Sequence, residues 1–460
     1  MKSFHFIGVG GIGMSALAAG AAARGWQVSG SDRGADKPEN APLISALRAQ
    51  GVKIYPQDGS RFSSGNMPEA LVFSTAIEED NPDLLAAGDI PRMHRSEFLR
   101  LLLDDSGKTT IAVTGSCGKS SVTAHITETL DHLGADPEMI SGALSKSYRR
   151  SDNAGNYRAG NGNFLVFEAD ESDKSLLAYG ADYAVILNIG TDHYEQDELV
   201  RVFGEFLHNI RRGAVLSRQV ADALAGRIPE HLQIKIFDEV QGSEAALTLR
   251  KYIPGPVPAA DCADGTLLNL PAPGRHTALN ALAIRGLTAL LGFDDRLALN
   301  ALGEFGGVWR RNDYAGKTPS GAAVYDDYAH NPEKIISCLS AMRESASGTL
   351  LAVFQPHGYG PLGFMAGALF EKLEEFLQKD DIFVLMEPYY AGGTTSFSPH
   401  SCDVCRSWQE ASTHPQTYIS ISDRNELKRF LQQRAGKGDV VVIMGARDNS
   451  LSIFARTLTL

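Results

Sequence analysis

The run from Ile111 through Ala112, Val113, Thr114, Gly115, Ser116, Cys117, Gly118, Lys119 and Ser120 to Ser121 narrows the possibilities for this chain more than any other segment. An apolar strand enters a glycine-bracketed turn, and a helix with Lys-Ser-Ser in its first turn follows. Backbone N–H groups in such a turn point at a bound anion, and the helix N-terminus adds partial positive charge. Lys119 has the length to reach terminal phosphates, and the Ser120 hydroxyl suits a Mg²⁺ ion. The spacing is shorter than the strict phosphate loop, because Val113 stands where the first glycine belongs. A Gly-x-x-Gly-Lys-Ser-Ser turn remains, and its strand–turn–helix setting predicts a nucleoside triphosphate site rather than a bland glycine/serine turn.

A chain of 460 residues is long enough for about three domains with separate cores. Its charge of −12 argues against a nucleic-acid binder, which needs dense Lys/Arg contacts to phosphate. No apolar run reaches the ~20 residues of a membrane span. The first strand starts within a few residues of Met1 with no signal-peptide layout, so a cytoplasmic protein is expected. Five scattered cysteines read as reduced thiols. Cys402 and Cys405, near His400, make half a zinc site at best, and ordinary thiols are the expectation.

Along the chain, strands are expected at Phe4–Val9, Trp26–Ser29 and Leu71–Ser74, with an Ala-rich helix from Met14 to Ala23. This is the rhythm of parallel strands with helical crossovers. The first segment closes at the polar join Asp104-Asp105-Ser106-Gly107. The second contains the glycine turn, a helix with Val122, Ile126, Leu130 and Leu133 on one face, and strands at Phe164–Phe167 and Tyr183–Leu187. The third alternates strands (Ala323–Tyr325, Leu350–Phe354, Ile382–Leu385, Val440–Met444) with helices. The fold class expected is α/β, three domains in series.

Four further constellations carry chemistry. Gly8, Gly10, Gly11 and Gly13 follow the first strand and open the first helix, and Asp32 stands about twenty residues on, as in the dinucleotide fingerprint. That pattern fits NAD, but a glycine turn accepts any diphosphate and an acid there suits any ribose hydroxyl, so a nucleotide sugar fits equally well. Phe167-Glu168-Ala169-Asp170-Glu171-Ser172-Asp173 places carboxylates at the end of a buried strand, where ligands of open α/β sheets gather; a carboxylate there suits Mg²⁺, the alternative being a solvated acidic turn. Asn188 to His193 ends the next strand, with His193 either a second metal ligand or a loop histidine. Asp327 to His330 follows the first strand of the third segment. Arg310 and Arg311 precede that segment, and an arginine from a neighbouring domain is one way to stabilise a transferring phosphoryl group.

The order of these motifs resembles the Mur ligases, ATP-dependent amide-forming enzymes of peptidoglycan assembly. The resemblance covers essentially the whole chain. Besides the turns above, it rests on Ser74-Thr-Ala-Ile77 with Asp80-Asn-Pro82, Arg95-x-Glu97, Pro273-Gly-Arg-His276 to Asn280, Gly307-Val-Trp-Arg-Arg311, Asp326-Asp-Tyr-Ala-His330 and Phe354-Gln-Pro-His357. The opening turn is most like the branch that joins L-alanine to UDP-N-acetylmuramate, and its relative that recycles murein tripeptide. The resemblance implies a Rossmann-like UDP-sugar domain (1–106), a central phosphate-loop ATPase domain (107–312) and a Rossmann-like C-terminal ligase domain (313–460). It implies ATP and Mg²⁺ as cofactors, a monomer or dimer, and an acyl-phosphate route to the amide. Lys119, Glu168, His193 and Arg311 would be catalytic. Gly115, Ser116, Cys117, Gly118, Lys119, Ser120, Ser121, Asn280, Arg311 and Asp327 would bind ATP, with Ser120, Glu168 and His193 on metal. Gly8, Gly10, Gly11, Gly13, Asp32 and Ser74 would seat the UDP sugar, and His330, His357, Tyr359 and Arg447 would form the acceptor region.

Departures from that pattern concentrate on the acceptor side. Cys117 stands where histidine or asparagine is usual, Glu195 replaces an aspartate, and Thr277 replaces the first asparagine of the adenine pair. After Gln-Pro-His the alanine ligases carry arginine, tyrosine and arginine; here Gly358, Tyr359 and Gly360 follow. Arg447, in a turn where glycine is usual, is the candidate to replace the lost charge. The alternatives are a murein-tripeptide recycling ligase, a paralogue with another acceptor, an NAD-dependent oxidoreductase resting on the first turn alone, and a non-catalytic nucleotide-binding regulator.

Overall fold

The computed structural model describes residues 2–63, 65–171, 175–190, 196–239, 244–255, 257–390, 396–414 and 417–460. Packing divides the chain into two compact units. One contains the chain up to Tyr252 with Ala259–Pro271 and His276–Trp309; the other contains Ile253–Pro258, Ala272–Arg275 and Arg310–Leu460.

The first unit carries two parallel sheets. In one, β1 (Ser3–Ile7), β2 (Gln27–Ser31), β3 (Lys53–Tyr55), β4 (Ala70–Phe73) and β5 (Arg92–His94) lie in the order β3-β2-β1-β4-β5. The expected strand at Phe4–Val9 stops at Ile7, because Gly8 takes φ +74° and the amides of Gly8 and Val9 both turn to the Ser31 carbonyl. The helix Ile12–Ala23 is buried from Met14 to Ala21, which its small side chains permit. At Gly20 an added Cβ would stand 3.3 Å from both Leu102 and Tyr157.

The other sheet of this unit orders β6 (Thr109–Thr114), β7 (Glu138–Ile140), β8 (Tyr157–Arg158), β9 (Phe164–Glu168), β10 (Ala181–Ile186), β11 (Ile210–Ser217) and β12 (Gln233–Phe237) as β12-β11-β10-β6-β9-β7-β8. Only β8 runs antiparallel to its neighbour in the described pairings. The glycine turn therefore leaves the centre of the sheet, between β10 and β9. Helix Arg95–Ser106 joins the two sheets. Its Phe98 meets Phe4 and Phe6 edge-to-face, each at 4.9 Å between ring centres, and it shares one apolar core with Ile140, Phe167 and Phe203. Polar contacts tie the same seam: Arg24 to Glu138 at 2.9 Å and Arg95 to Asp170 at 2.9 Å. A small sheet, β13 (Leu249–Ile253), β14 (Ala259–Cys262) and β15 (Leu267–Asn269), adds Leu249, Ala260 and Leu268 to a second core on the far face.

The second unit orders β16 (Asp313–Lys317), β17 (Ala323–Asp327), β18 (Leu350–Phe354), β19 (Ile382–Leu385), β20 (Tyr418–Ser420) and β21 (Val440–Met444) as β16-β17-β21-β18-β19-β20, with β16 antiparallel at the edge. Its central strands are buried on both faces, as crossover helices require. Cys405 lies in this core, where burial pushes its thiol up to about 12, while Cys402 is exposed. Among the described residues no cluster of metal-ligating side chains occurs, and no helix is long and apolar enough to cross a membrane.

Helix Lys119–His132, which follows the glycine turn, buries His125. Its Nε2–H donates to the Leu302 carbonyl at 2.9 Å, since a carbonyl can only accept, and the ring stacks on Phe305 at 4.2 Å. Burial lowers the imidazole to about 4. Above pH 6.5 both native and unfolded chains hold it neutral. As pH falls below 6.5 the unfolded chain takes a proton that the native fold refuses, so stability declines until about pH 4. The whole effect is about 3 kcal/mol. In chemical denaturation from pH 6.5 to 4, His125→Gln should lose less stability than wild type, by roughly one proton's slope, ~1.4 kcal/mol per pH unit.

Candidate active site

The glycine turn is shaped by a residue on the neighbouring strand. Just past β10, Asn188 brackets Cys117: its Oδ1 accepts from the Cys117 amide at 2.8 Å and its Nδ2 donates to the Cys117 carbonyl at 3.0 Å. The Asn188 carbonyl takes the Ser116 amide at 3.3 Å, and Gly190 donates to Ser116 Oγ at 2.8 Å. Gly115 sits at φ +133°, with backbone and side-chain atoms of Leu187 and Asn188 about where a Cβ would be, the nearest at 3.1 Å. Gly118 caps the helix at φ +90°, and no side chain caps it. The first amides of the helix, from Lys119 to Ser121, therefore lack intrahelical acceptors, which suits a phosphate. Asn280 lies beside this loop, its Oδ1 3.5 Å from the position of a Cβ on Gly118.

Lys119 folds back over the turn. Its Nζ donates to the Gly115 carbonyl at 2.8 Å and pairs with Glu171 at 2.7 Å, a carboxylate only 2% exposed. Burial works against the ammonium, but Glu171, Glu168 and Asp170 outweigh it and hold the group above the usual lysine value. Burial pushes the Glu171 carboxyl up, with Lys119 opposing it. Glu168 ends β9 opposite Val113 and accepts the Gly142 amide at 2.9 Å. With the Ser120 hydroxyl it supplies hard oxygen donors of the kind Mg²⁺ prefers. His193, like Asp192, Glu195, Ser172 and Asp173, lies outside the described residues. Sequence reasoning gave no role to Asn188 or Glu171; the polar residues ending two adjacent buried strands were the available signal.

In the first sheet the glycine turn has the same construction. Gly11 donates to the Gly8 carbonyl at 3.0 Å, and helix Ile12–Ala23 starts without a side-chain cap. Asp32, expected to meet a ribose hydroxyl, also braces this turn: its oxygens accept from Gly10 at 2.9 Å and Gly34 at 2.7 Å. A Cβ on Gly10 would strike that carboxylate at 2.8 Å. Ser74 follows β4 and is half-buried.

In the second unit the strand ends collect Asp327 and His330 after β17, His357 after β18, and Arg447 after β21. Asp327 accepts the amides of Asn312 (2.6 Å) and Ala329 (2.8 Å), and burial raises its carboxyl despite the nearby Arg311. Arg311 is half-buried over the Tyr328 ring, 5.1 Å from its centre. The adjacent Arg310 is different, only 1% exposed and bonded to Asp326 and the carbonyls of Gly445, Ala446 and Asp448. His330 donates from Nδ1 to the Tyr328 carbonyl and meets His357 edge-to-face at 5.4 Å. Burial, with Lys334 and His357 nearby, lowers it to about 4, so it is neutral at pH 7. Burial and the exposed Arg447 lower His357 as well. Tyr359 opens the next helix against Phe397 and His400, near Glu387.

Known proteins resemble this chain over nearly its whole length. The UDP-N-acetylmuramate–L-alanine ligase of Maricaulis maris is 33% identical over 470 residues, covering 98% of this chain and 95% of the relative. The chain belongs to the Mur ligase family. Residues 3–106 match the family's model described as "Mur ligase family, catalytic domain", and residues 310–447 match "Mur ligase, glutamate ligase domain". A second relative of the same name, from Sinorhizobium fredii, is 32% identical over 99% of this chain and 96% of its own length. Among solved Mur ligase structures, the UDP-N-acetylmuramate-alanine ligase of Thermotoga maritima superposes with a TM-score of 0.81 at 26% identity, covering 100% of this chain and 98% of that one. A murein peptide ligase from Psychrobacter arcticus shares the fold, with a TM-score of 0.68 at 21% identity over 100% of this chain and 98% of its own. The α/β architecture with several parallel-sheet domains is thus that of a Mur ligase.

Proposed function

We propose that this chain is an ATP-dependent ligase of peptidoglycan precursor synthesis that joins L-alanine, or a similar small amino acid, to UDP-N-acetylmuramate in the cytoplasm. The carrying observation is the uncapped glycine turn with Lys119 held between the Gly115 carbonyl and Glu171, in a chain similar to L-alanine ligases over its full length. On this reading residues 1–106 take the UDP sugar, 107–312 take ATP, and 313–460 complete the site.

The muramate carboxylate attacks the γ-phosphorus of ATP, the bond to ADP breaks, and an acyl phosphate forms. The acceptor amine then attacks the acyl carbon, inorganic phosphate leaves, and the amine gives up a proton to yield the amide. Lys119 and Arg311 neutralise charge on the transferring phosphoryl group, while the loop amides from Gly118 to Ser121 orient the phosphates. Asn280 and Asp327 are assigned to the nucleotide. Ser120, Glu168 and His193 would hold Mg²⁺, which supplies Lewis-acid charge neutralisation when bound. The glycines at 8, 10, 11 and 13, braced by Asp32, seat the sugar's diphosphate beside Ser74. His330, His357, Tyr359 and Arg447 face the acceptor.

The test is phosphate release from Mg-ATP and UDP-N-acetylmuramate, with L-alanine, glycine, L-serine and murein tripeptide added one at a time. Release that depends on L-alanine is expected. Release with tripeptide alone would move the chain to the recycling reaction, and silence with every acceptor would overturn the ligase reading. Arg447→Ala should raise the acceptor KM about tenfold, as for loss of one charge-assisted hydrogen bond, and leave the ATP KM unchanged. Two unchanged KM values would remove Arg447 from the acceptor region.

A further inference from the structure

Nine residues beyond Lys119, the phosphate-loop helix carries a buried carboxylate that the ligase chemistry does not use. Glu128 is 2% exposed. Its Oε1 accepts from Ser145 Oγ at 2.8 Å, and its Oε2 accepts from Ser147 Oγ at 2.9 Å and from the Gly306 amide at 2.8 Å. One turn earlier, His125 holds the Leu302 carbonyl and the Phe305 ring. The strip 144–146 finishes the clasp: Trp309 donates to the Leu144 carbonyl at 2.8 Å, and Lys146 to the Gly307 carbonyl at 3.0 Å. Gly306 lies so close that a Cβ there would stand 2.2 Å from Ser147 Oγ. The segment held in this way is the last stretch of the first unit, since the chain passes to the second unit between Trp309 and Arg310.

We propose that Glu128 is a positioning residue that couples nucleotide occupancy of the glycine turn to the crossing segment Gly303–Trp309. One helix carries both ends of the linkage. Its N-terminal amides face the nucleotide, and about 14 Å along its axis Glu128 grips Gly306. A nucleotide phosphate seated on Lys119 and the first-turn amides restrains that helix, and the restraint passes through Glu128 to the segment. The segment stops at Trp309, one residue before the second unit begins. This coupling rests on the ATP reading above and deepens it.

The experiment is hydrogen exchange by mass spectrometry on the full chain, with and without saturating Mg-ADP, alongside ADP affinity. In wild type, ADP should slow exchange across 303–309 by roughly fivefold, the lower end of ordinary coupling between sites. Glu128→Ala should lose that protection while its ADP Kd stays within about threefold of wild type. Glu128→Gln, which keeps an oxygen for the Gly306 amide, should retain much of it. Gly306→Ala puts a Cβ 2.2 Å from Ser147 Oγ and breaks the clasp at that point, so it should lose protection too; it carries the test if Glu128→Ala fails to fold. Equal protection in Glu128→Ala or Gly306→Ala, or ADP binding to wild type with no change at 303–309, overturns the coupling. Absence of any ADP binding to wild type overturns the nucleotide reading itself.

Discussion

Lys119→Ala is expected to reduce acceptor-dependent phosphate release by about a thousandfold, the scale at which one preorganised charge-stabilising group acts in a transition state. Its ammonium is the cation that the glycine turn holds over its own carbonyl, 2.8 Å from Gly115 and 2.7 Å from Glu171. Removing it leaves Glu171 buried without that cation. Burial already pushes the Glu171 carboxyl up, so the variant should take a proton there in preference to keeping a bare charge, and the fold should persist. A thermal melt close to wild type, combined with lost turnover, is the expected pair of results. Turnover above a tenth of wild type would mean that this turn does not carry the phosphoryl transfer.

Arg310→Ala is expected to cost about 3–5 kcal/mol of stability in the second unit, the range for breaking a buried ion pair from one side. The guanidinium bonds Asp326 at 3.1 Å and three carbonyls of the turn after β21. Without it, Asp326, 2% exposed, keeps its charge at high cost or takes a proton, and three carbonyls lose their donor. Equilibrium denaturation followed by Trp408, which lies in the second unit's core, is the measurement. Arg311→Ala should instead change stability by about 1 kcal/mol or less, the value of a half-exposed cation–π contact, and lower turnover roughly a thousandfold. Equal destabilisation by both variants would deny the separation of roles. Residue pattern alone leaves these arginines an undivided pair, and only the family resemblance singled out Arg311.

That pair shows where sequence reasoning stops. Adjacent residues of one type look alike until the chain turns, and Arg310 at φ +57° is directed into its own sheet while Arg311 stays half-buried. The central strands and the three glycine-rich or acidic strand ends were legible, because an apolar run ending in a polar cluster is a local pattern. Short strands at or next to a sheet edge, such as β3, β5, β7 and β8, were not, since two or three residues carry no periodicity. Strand β11 was hidden by the exposed Arg211 and Arg212 near its start.

The sequence by itself determined the α/β class, the order of motifs, membership of the Mur ligase family, and the glycine turn built on Gly115, Gly118 and Lys119 that is proposed to take the nucleotide. Each follows from residues that act within one strand–turn–helix unit, or from the succession of such units. Only the tertiary structure decided that Asn188 shapes that loop, that Glu171 meets Lys119, that Asp32 braces its own glycine turn, and that Glu128 grips Gly306. These partners lie 22 to 178 residues apart in the chain, or 52 for Lys119 and Glu171. Nothing in local composition records such a pairing, because it comes into being only when β6, β9 and β10 take their places in the sheet and when the crossing segment folds back on the helix.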